Sequence, residues 1–281
     1  MGDLYVFMLI ALAMLAILDL IVGVSNDAVN FLNSAIGSKA IPIKSIMIIA
    51  SIGVFFGAIS SNGMMEVARK GIFNPEMFVF QDIMIIFMAV MITDILLLDV
   101  FNSLGLPTST TVSIVFELLG SAVVVALIKM NEKGEAFNEL WNYINYSQAT
   151  KIILGILLSV VVAFTLGAIV QYFSRLIYSF NFGERPSYIN ALFGGFALTS
   201  IVYFIIIKGL KGTPFYGDIQ YVLEYNIFLL IGANFLIWAF VSMALTSLMK
   251  VNILKLIIGV GTFSLAMAFA GNDLVNFIGV P

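Results

Sequence analysis

The sequence predicts an all-α, polytopic membrane protein with inverted-topology repeats and broken or re-entrant helices. Three observations carry that expectation: long apolar runs joined by short polar stretches, a charged fraction far below that of soluble chains, and a polar motif that occurs twice. Of 281 residues, 61% are hydrophobic and 10% charged, and mean hydropathy is +1.09. Soluble domains run about 25% charged, so most of this surface must face lipid. With 13 Lys+Arg and a net charge of −3, a cytoplasmic enzyme and a nucleic-acid binder are excluded. The chain holds no His and no Cys, which removes disulfides, Cys or His metal sites, a Cys nucleophile and a Ser-His-Asp triad.

A hydrocarbon core of about 30 Å needs about 20 residues of helix. Eight runs meet or approach this: Leu4–Val22, Ser45–Ser60, Ile83–Phe101, Thr111–Ile128, Ile152–Tyr178, Ile189–Ile207, Asn226–Leu248 and Ile253–Phe269. The fifth is long enough to tilt or to emerge at its Arg175 end. All six prolines fall between runs, where a residue without an N–H interrupts no helix. Met1-Gly2-Asp3 lacks a positive n-region, so the first run reads as a span rather than a signal peptide. Residues 131–150 read either as a helix lying in the interface or as a solvated loop with anchoring aromatics. Seven basic residues fall on one side of this topology and six on the other, which gives no orientation by the positive-inside rule.

The strongest signal is an internal repeat. Gly23-Val24-Ser25-Asn26-Asp27-Ala28-Val29-Asn30-Phe31 stands after the first run, and Phe269-Ala270-Gly271-Asn272-Asp273-Leu274-Val275-Asn276-Phe277 stands after the last. Five of the six positions in Asn-Asp-x-Val-Asn-Phe coincide. Seven spans lie between the copies, so the chain enters them from opposite sides of the membrane. Such inverted repeats are a common plan of secondary transporters, with the substrate near the midplane. The expected organisation is a first repeat over 1–130, a connecting segment with two further spans over 131–225, and the start of a second repeat over 226–281.

An Asp in the middle of a membrane helix costs roughly 2.5–3.5 kcal/mol on insertion scales, so both clusters need compensation. Gly, Ser, Asn and Asp also end and cap helices, and residues 23–27 are therefore expected to break a helix in two. At such a break, N–H groups suit an anion, while carbonyls and carboxylates suit a cation. The competing reading is helix capping at the water interface, which leaves the recurrence of Asn30 and Asn276 in register without a reason. A third cluster, Gly105-Leu106-Pro107-Thr108-Ser109-Thr110-Thr111, offers hydroxyl and backbone donors at a helix start. It suits an oxyanion and equally reads as a plain N-cap turn. Among the other acids, Asp99 is expected near the membrane edge. Asp94 lies five residues before it and so on a different helix face. Asp19, two turns before Asp27, is not readily explained away, and Glu117 either faces a cavity or is protonated between helices.

Together these motifs resemble those of the inorganic phosphate transporter family, the sodium- or proton-coupled phosphate permeases. Members carry Gly-x-Asn-Asp-x-x-Asn in each of two inverted repeats and Gly-x-Pro-x-Ser-Thr-Thr downstream of each. Asn26-Asp27-Ala28-Val29-Asn30 looks like the first signature, and Gly271-Asn272-Asp273-Leu274-Val275-Asn276 with Gly279-Val280-Pro281 looks like the second. Residues 105–111 are similar to the first hydroxyl motif. Three departures stand out. Val112 follows Ser-Thr-Thr where relatives often have His, Ser51-Ile52-Gly53-Val54-Phe55 stands where they often have Glu, and Pro281 ends the chain before a second hydroxyl motif. The chain therefore reads as a truncated one, which by itself is not expected to transport.

The resemblance implies a non-enzymatic importer of inorganic phosphate by cation symport, with sodium favoured over protons. Ser109, Thr110, Thr111, Asn26 and Asn272 are the expected phosphate ligands. Asp27, Asn30, Asp273 and Asn276 are the expected sodium ligands. A carboxylate ~5 Å from the anion at an effective dielectric of ~20 repels it by ~3 kcal/mol per unit charge pair. A helix N-terminus returns only ~0.3–2 kcal/mol, so a co-bound cation is needed. Apart from coupling ions no cofactor is expected. Expected partners are phosphate, sodium or protons, the lipid bilayer and a second copy of the chain in a homodimer, with no nucleic acid. The expected location is a bacterial inner membrane. Rival readings are a sulfate or other oxyanion permease of the same fold and a passive channel, which would need a continuous polar stripe. An intramembrane aspartyl protease is disfavoured, because Ala-Gly-Asn-Asp around Asp273 lacks the Gly-x-Gly-Asp pattern of those enzymes.

Overall fold

A computed structural model describes residues 2–60, 71–178, 186–209 and 216–272. Its described residues form α1 (Gly2–Ser38), α2 (Ile43–Ile59), α3 (Phe80–Leu104), α4 (Thr110–Lys133), the short α5 (Leu140–Tyr143), α6 (Tyr146–Ile177), α7 (Ser187–Phe204), α8 (Tyr216–Ser247) and α9 (Ile253–Asn272). Seven of these are long and apolar enough to cross a membrane, and α2 is an apolar helix of 17 residues. Each of the eight expected runs therefore corresponds to a helix. The all-α polytopic architecture is the one that the hydropathy pattern dictates, since only a helix satisfies its own backbone in lipid.

Two expectations of local structure need correction. Residues 23–27 do not break a helix: α1 runs from Gly2 to Ser38 without interruption. Helical backbone there keeps its own hydrogen bonds, and Ser25 Oγ turns back to donate to the Ile21 carbonyl at 2.8 Å, so only side chains need outside partners. The discontinuity among the described helices falls instead at Asn226 in α8, whose φ of −132° and ψ of 27° leave the helical region. Residues 131–150 are neither one continuous helix nor a stretch without secondary structure. A 3-10 turn at Phe137–Glu139 and α5 close over the end of α4. They are stitched to residues 72–74 by Asn74 N–H to the Tyr143 carbonyl at 2.9 Å, Asn145 N–H to the Ile72 carbonyl at 3.0 Å and Asn74 Nδ2 to the Asn142 carbonyl at 2.8 Å. Tyr143 is fully buried there, donating its hydroxyl to Glu135 Oε2 at 2.9 Å.

The chain divides into two compact units. The first comprises Met1–Asn30, Gly63–Leu158 and Asn272–Pro281. Its core is the contact of α3 with α4, and the sequence periodicity explains it. Ile86, Val90, Asp94 and Leu98 recur every fourth residue on α3, and Ile114, Leu118, Ala122, Ala126 and Met130 do so on α4; all are buried. That spacing lines one face of each helix. Both helices stop at a glycine in the left-handed region, Gly105 at φ 68° and Gly134 at φ 67°. After each, an N–H bonds back to a carbonyl five residues earlier, Leu106 to Phe101 and Glu135 to Met130, both at 2.9 Å. This is the Schellman way of satisfying end carbonyls. Asp82 near the start of α3 binds Lys129 near the end of α4 at 2.5 Å.

The second unit comprises Phe31–Asn62 and Ser159–Gly271. In lipid, helices gain from packing rather than from hydrophobic expulsion, so small residues mark close approaches. Gly53 and Gly57 of α2 lie against Ala266 and Ala270 of α9, and a Cβ at Gly57 would run into the Met267 carbonyl. Phe31 and Phe269 stack with centroids 4.9 Å apart. Gly194 and Gly195 of α7 meet Ser242 and Ala239 of α8 in the same manner.

Gly57→Val should lower stability by about 1–3 kcal/mol through overpacking. Gly120→Ala, where nothing lies within 4 Å, should raise it by about 0.5–1 kcal/mol through helix propensity. Thermal unfolding of both variants in detergent tests the pair. Equal behaviour of the two would show that the α2–α9 contact is not tight.

Candidate functional site

The first copy of the repeated motif and the hydroxyl cluster meet within the first unit. The α3–α4 loop turns sharply because Gly105 takes a positive φ and Pro107 cannot continue a helix. Ser109 then caps α4, its Oγ accepting from Val112 N–H at 3.5 Å, so the N-cap reading of this cluster holds. The loop is clasped to α1 by Asn26. The two N–H groups of its amide donate to Asn102 Oδ1 at 2.9 Å and to the Leu106 carbonyl at 3.3 Å. Its Oδ1 accepts from Thr108 N–H at 2.9 Å. Asn102 in turn donates to the Val22 carbonyl on α1 at 3.1 Å. Asn26 is 3% exposed, and every polar atom of its amide has a partner. A buried amide satisfied so fully fixes position.

Asp27 is 2% exposed. Its Oδ2 accepts from Thr110 Oγ1 at 2.8 Å, and its Oδ1 accepts from Asn30 Nδ2 at 3.2 Å. Thr110 is buried, whereas Asn30 and Ser109 are exposed and Thr111 is half-buried. The arrangement therefore places a carboxylate one side chain away from the first turn of α4, where the orphan N–H groups of a helix start lie.

Asn26, Asp27, Asn30, Ser109, Thr110 and Thr111 are thus brought into one neighbourhood by three helices. Asn272 ends α9 with its side chain outside the described residues, and Asp273 and Asn276 lie outside them altogether, as do Gly279-Val280-Pro281. Asn102 escaped the sequence reading. Its signal was there: it continues the α3 stripe 86-90-94-98 by one more step of four, so a polar residue was bound to face the interior. Asp94 belongs to the same stripe. Asp99 is exposed. Glu117 accepts from Ser113 Oγ at 2.8 Å and lines a groove of about 680 Å³ between α3 and α4, together with Thr108, Ser109 and Ser113.

Comparison with known proteins bears on this geometry. The sequence profile described as the phosphate transporter family matches residues 23–281. A protein of Thermococcus kodakarensis named "Putative phosphate permease" is 27% identical over 203 residues, covering 69% of this chain and 47% of that one. A "Probable low-affinity inorganic phosphate transporter" of Bacillus subtilis is 25% identical over 153 residues, covering 54% and 41%. The chain thus spans about half or less of the length of these relatives. A solved structure named "The sodium-dependent phosphate transporter" superposes with a TM-score of 0.69 at 18% identity, over 96% of this chain and 66% of that one. At that identity the likeness is one of fold.

Thr110→Val removes the hydroxyl that donates to a buried carboxylate and should cost about 1–3 kcal/mol. Thr110→Ser should retain most of the stability. In a double-mutant cycle, Thr110→Val combined with Asp27→Asn should cost clearly less than the sum of the single changes, read by thermal unfolding. Strict additivity would show that the pair does not interact.

Proposed function

We propose, from the premise that the chain belongs to the phosphate transporter family, that it forms the substrate-binding part of a permease that imports inorganic phosphate by cation symport, sodium being the favoured ion. The family is one of transporters, not enzymes. The observation that carries the reading is the contact of Asp27 with Thr110 at the first turn of α4, because it sets a cation-binding and an anion-binding group side by side. Phosphate at neutral pH carries one to two negative charges and would meet Ser109, Thr110, Thr111 and the N–H groups of that turn. Asp27 alone repels it by a few kcal/mol, more than one helix start returns. A sodium ion on Asp27 and Asn30 reverses that sign, so that each ion improves the site for the other.

Asp273, Asn276 and Asn272 would supply the corresponding groups of a second, inverted copy. The clasp made by Asn26 gives it the task of holding the α3–α4 loop at the anion seat. The structurally similar transporter is named as sodium-dependent, which favours that ion over protons. Homodimer assembly and a bacterial inner-membrane location complete the reading.

Phosphate uptake into proteoliposomes should rise several-fold when an inward sodium gradient is imposed, and Asp27→Asn should abolish accumulation above the phosphate gradient. Uptake indifferent to sodium removes that ion from the mechanism. Unlabelled sulfate competing as well as phosphate would favour the broader oxyanion permease.

A further inference from the structure

Each of the three helices that build the Asn26–Asp27–Thr110 neighbourhood carries a second inward-facing polar group about two turns away. On α1 it is Asp19, eight residues before Asp27; on α3 it is Asp94, eight before Asn102; on α4 it is Glu117, seven after Thr110. At 1.5 Å per residue this second layer lies about 10–12 Å along the helices from the first, deeper in the spans. The three helices thereby set Asp19, Asp94 and Glu117 at one level of the first unit. Asp19 and Asp94 are fully buried.

No donor among the described residues reaches either oxygen of Asp19, either oxygen of Asp94, or Glu117 Oε2. The single hydroxyl hydrogen of Ser113 is spent on Glu117 Oε1. The lysines of α4, Lys129 and Lys133, lie 12 and 16 residues beyond Glu117, about 18 and 24 Å along the helix, and are engaged there with Asp82 and Glu135. Three carboxyl groups so arranged cannot all be charged: desolvation opposes each charge, and each charge opposes the next. Something positive must sit among them. Protons meet that need without any further ligand, held in acid-to-acid O–H···O bonds of the kind that paired carboxyls make.

We propose that Asp19, Asp94 and Glu117 form a proton-binding site within the membrane, separate from the site at Asp27, with Glu117 as its opening to the α3–α4 groove. This goes beyond the phosphate reading and does not require it. The layer acts on Asp27 through charge. At about 12 Å and an effective dielectric of about 20, one negative charge appearing in the layer raises the affinity of Asp27 for a cation about tenfold. Deprotonation would therefore tighten cation binding and protonation would loosen it.

Infrared difference spectroscopy of the purified full chain in lipid nanodiscs tests the proposal, since it reads protonated carboxyl groups without phosphate or transport. In sodium-free buffer the spectrum should show protonated carboxyl absorption at about pH 7 that is lost in strongly alkaline buffer. Asp19→Asn combined with Asp94→Asn should remove most of that absorption, and Glu117→Gln should remove part of it. Amides are isosteres of the neutral acids, so these variants should unfold near the wild-type temperature. A wild-type spectrum without protonated carboxyl at pH 7 would overturn the proposal. So would absorption that all three replacements leave unchanged, or that sodium discharges at constant pH even in the Asp27→Asn variant, where no cation at Asp27 can act on the layer through charge and the ligand of the layer would itself be a metal cation.

Discussion

Lipid offers no hydrogen bonds, and a polar side chain inside the membrane is stabilised by the partners it finds within the protein. Asn26 meets the constraint completely, with all its amide groups engaged by Asn102, Leu106 and Thr108. From that clasp follow the position of the α3–α4 loop, the orientation of the first turn of α4, and the placement of Thr110 against Asp27. The apolar packing of α3 on α4 supplies the rigid frame, but the polar clasp sets the register at its end.

The same constraint explains why the motif does not break α1. A helix that unwinds in lipid exposes several backbone groups at once, whereas an intact helix exposes only side chains. In the first unit the hydroxyl-rich loop is close enough to serve those side chains, so unwinding gains nothing. Polarity of a segment and irregularity of its backbone are therefore separate properties, and Gly23-Val24-Ser25-Asn26-Asp27 has the first without the second.

Much of the fold was legible. Hydropathy located every long helix, because a membrane span is a compositional property. The apolar runs place the ends of α3 and α4 a few residues early, at Phe101 and Ile128, whereas the helices run on to the left-handed Gly105 and Gly134. That Asn26, Asp27 and Thr110 would turn inward to polar partners could be anticipated from the rarity of polar residues in such a chain. What the sequence could not show was who pairs with whom: Asn102 satisfies a residue 76 positions away, and that distance in sequence leaves no local trace. The packed cap over 135–146 was missed for a related reason, since its order comes from backbone bonds to residues 72–74 rather than from its own periodicity.

The four-residue ladder of α3, from Ile86 through Val90, Asp94 and Leu98 to Asn102, has a consequence for how this part of the chain can vary. Both polar rungs are indexed to one stripe, so their angular agreement depends on the number of residues between them and not on what those residues are. One residue inserted or deleted between Asp94 and Asn102 turns one rung about 100° away from the other. Substitutions between the rungs are constrained only by lipid or by packing, while the length of the interval is fixed, and homologous chains that keep both rungs should keep the interval unchanged.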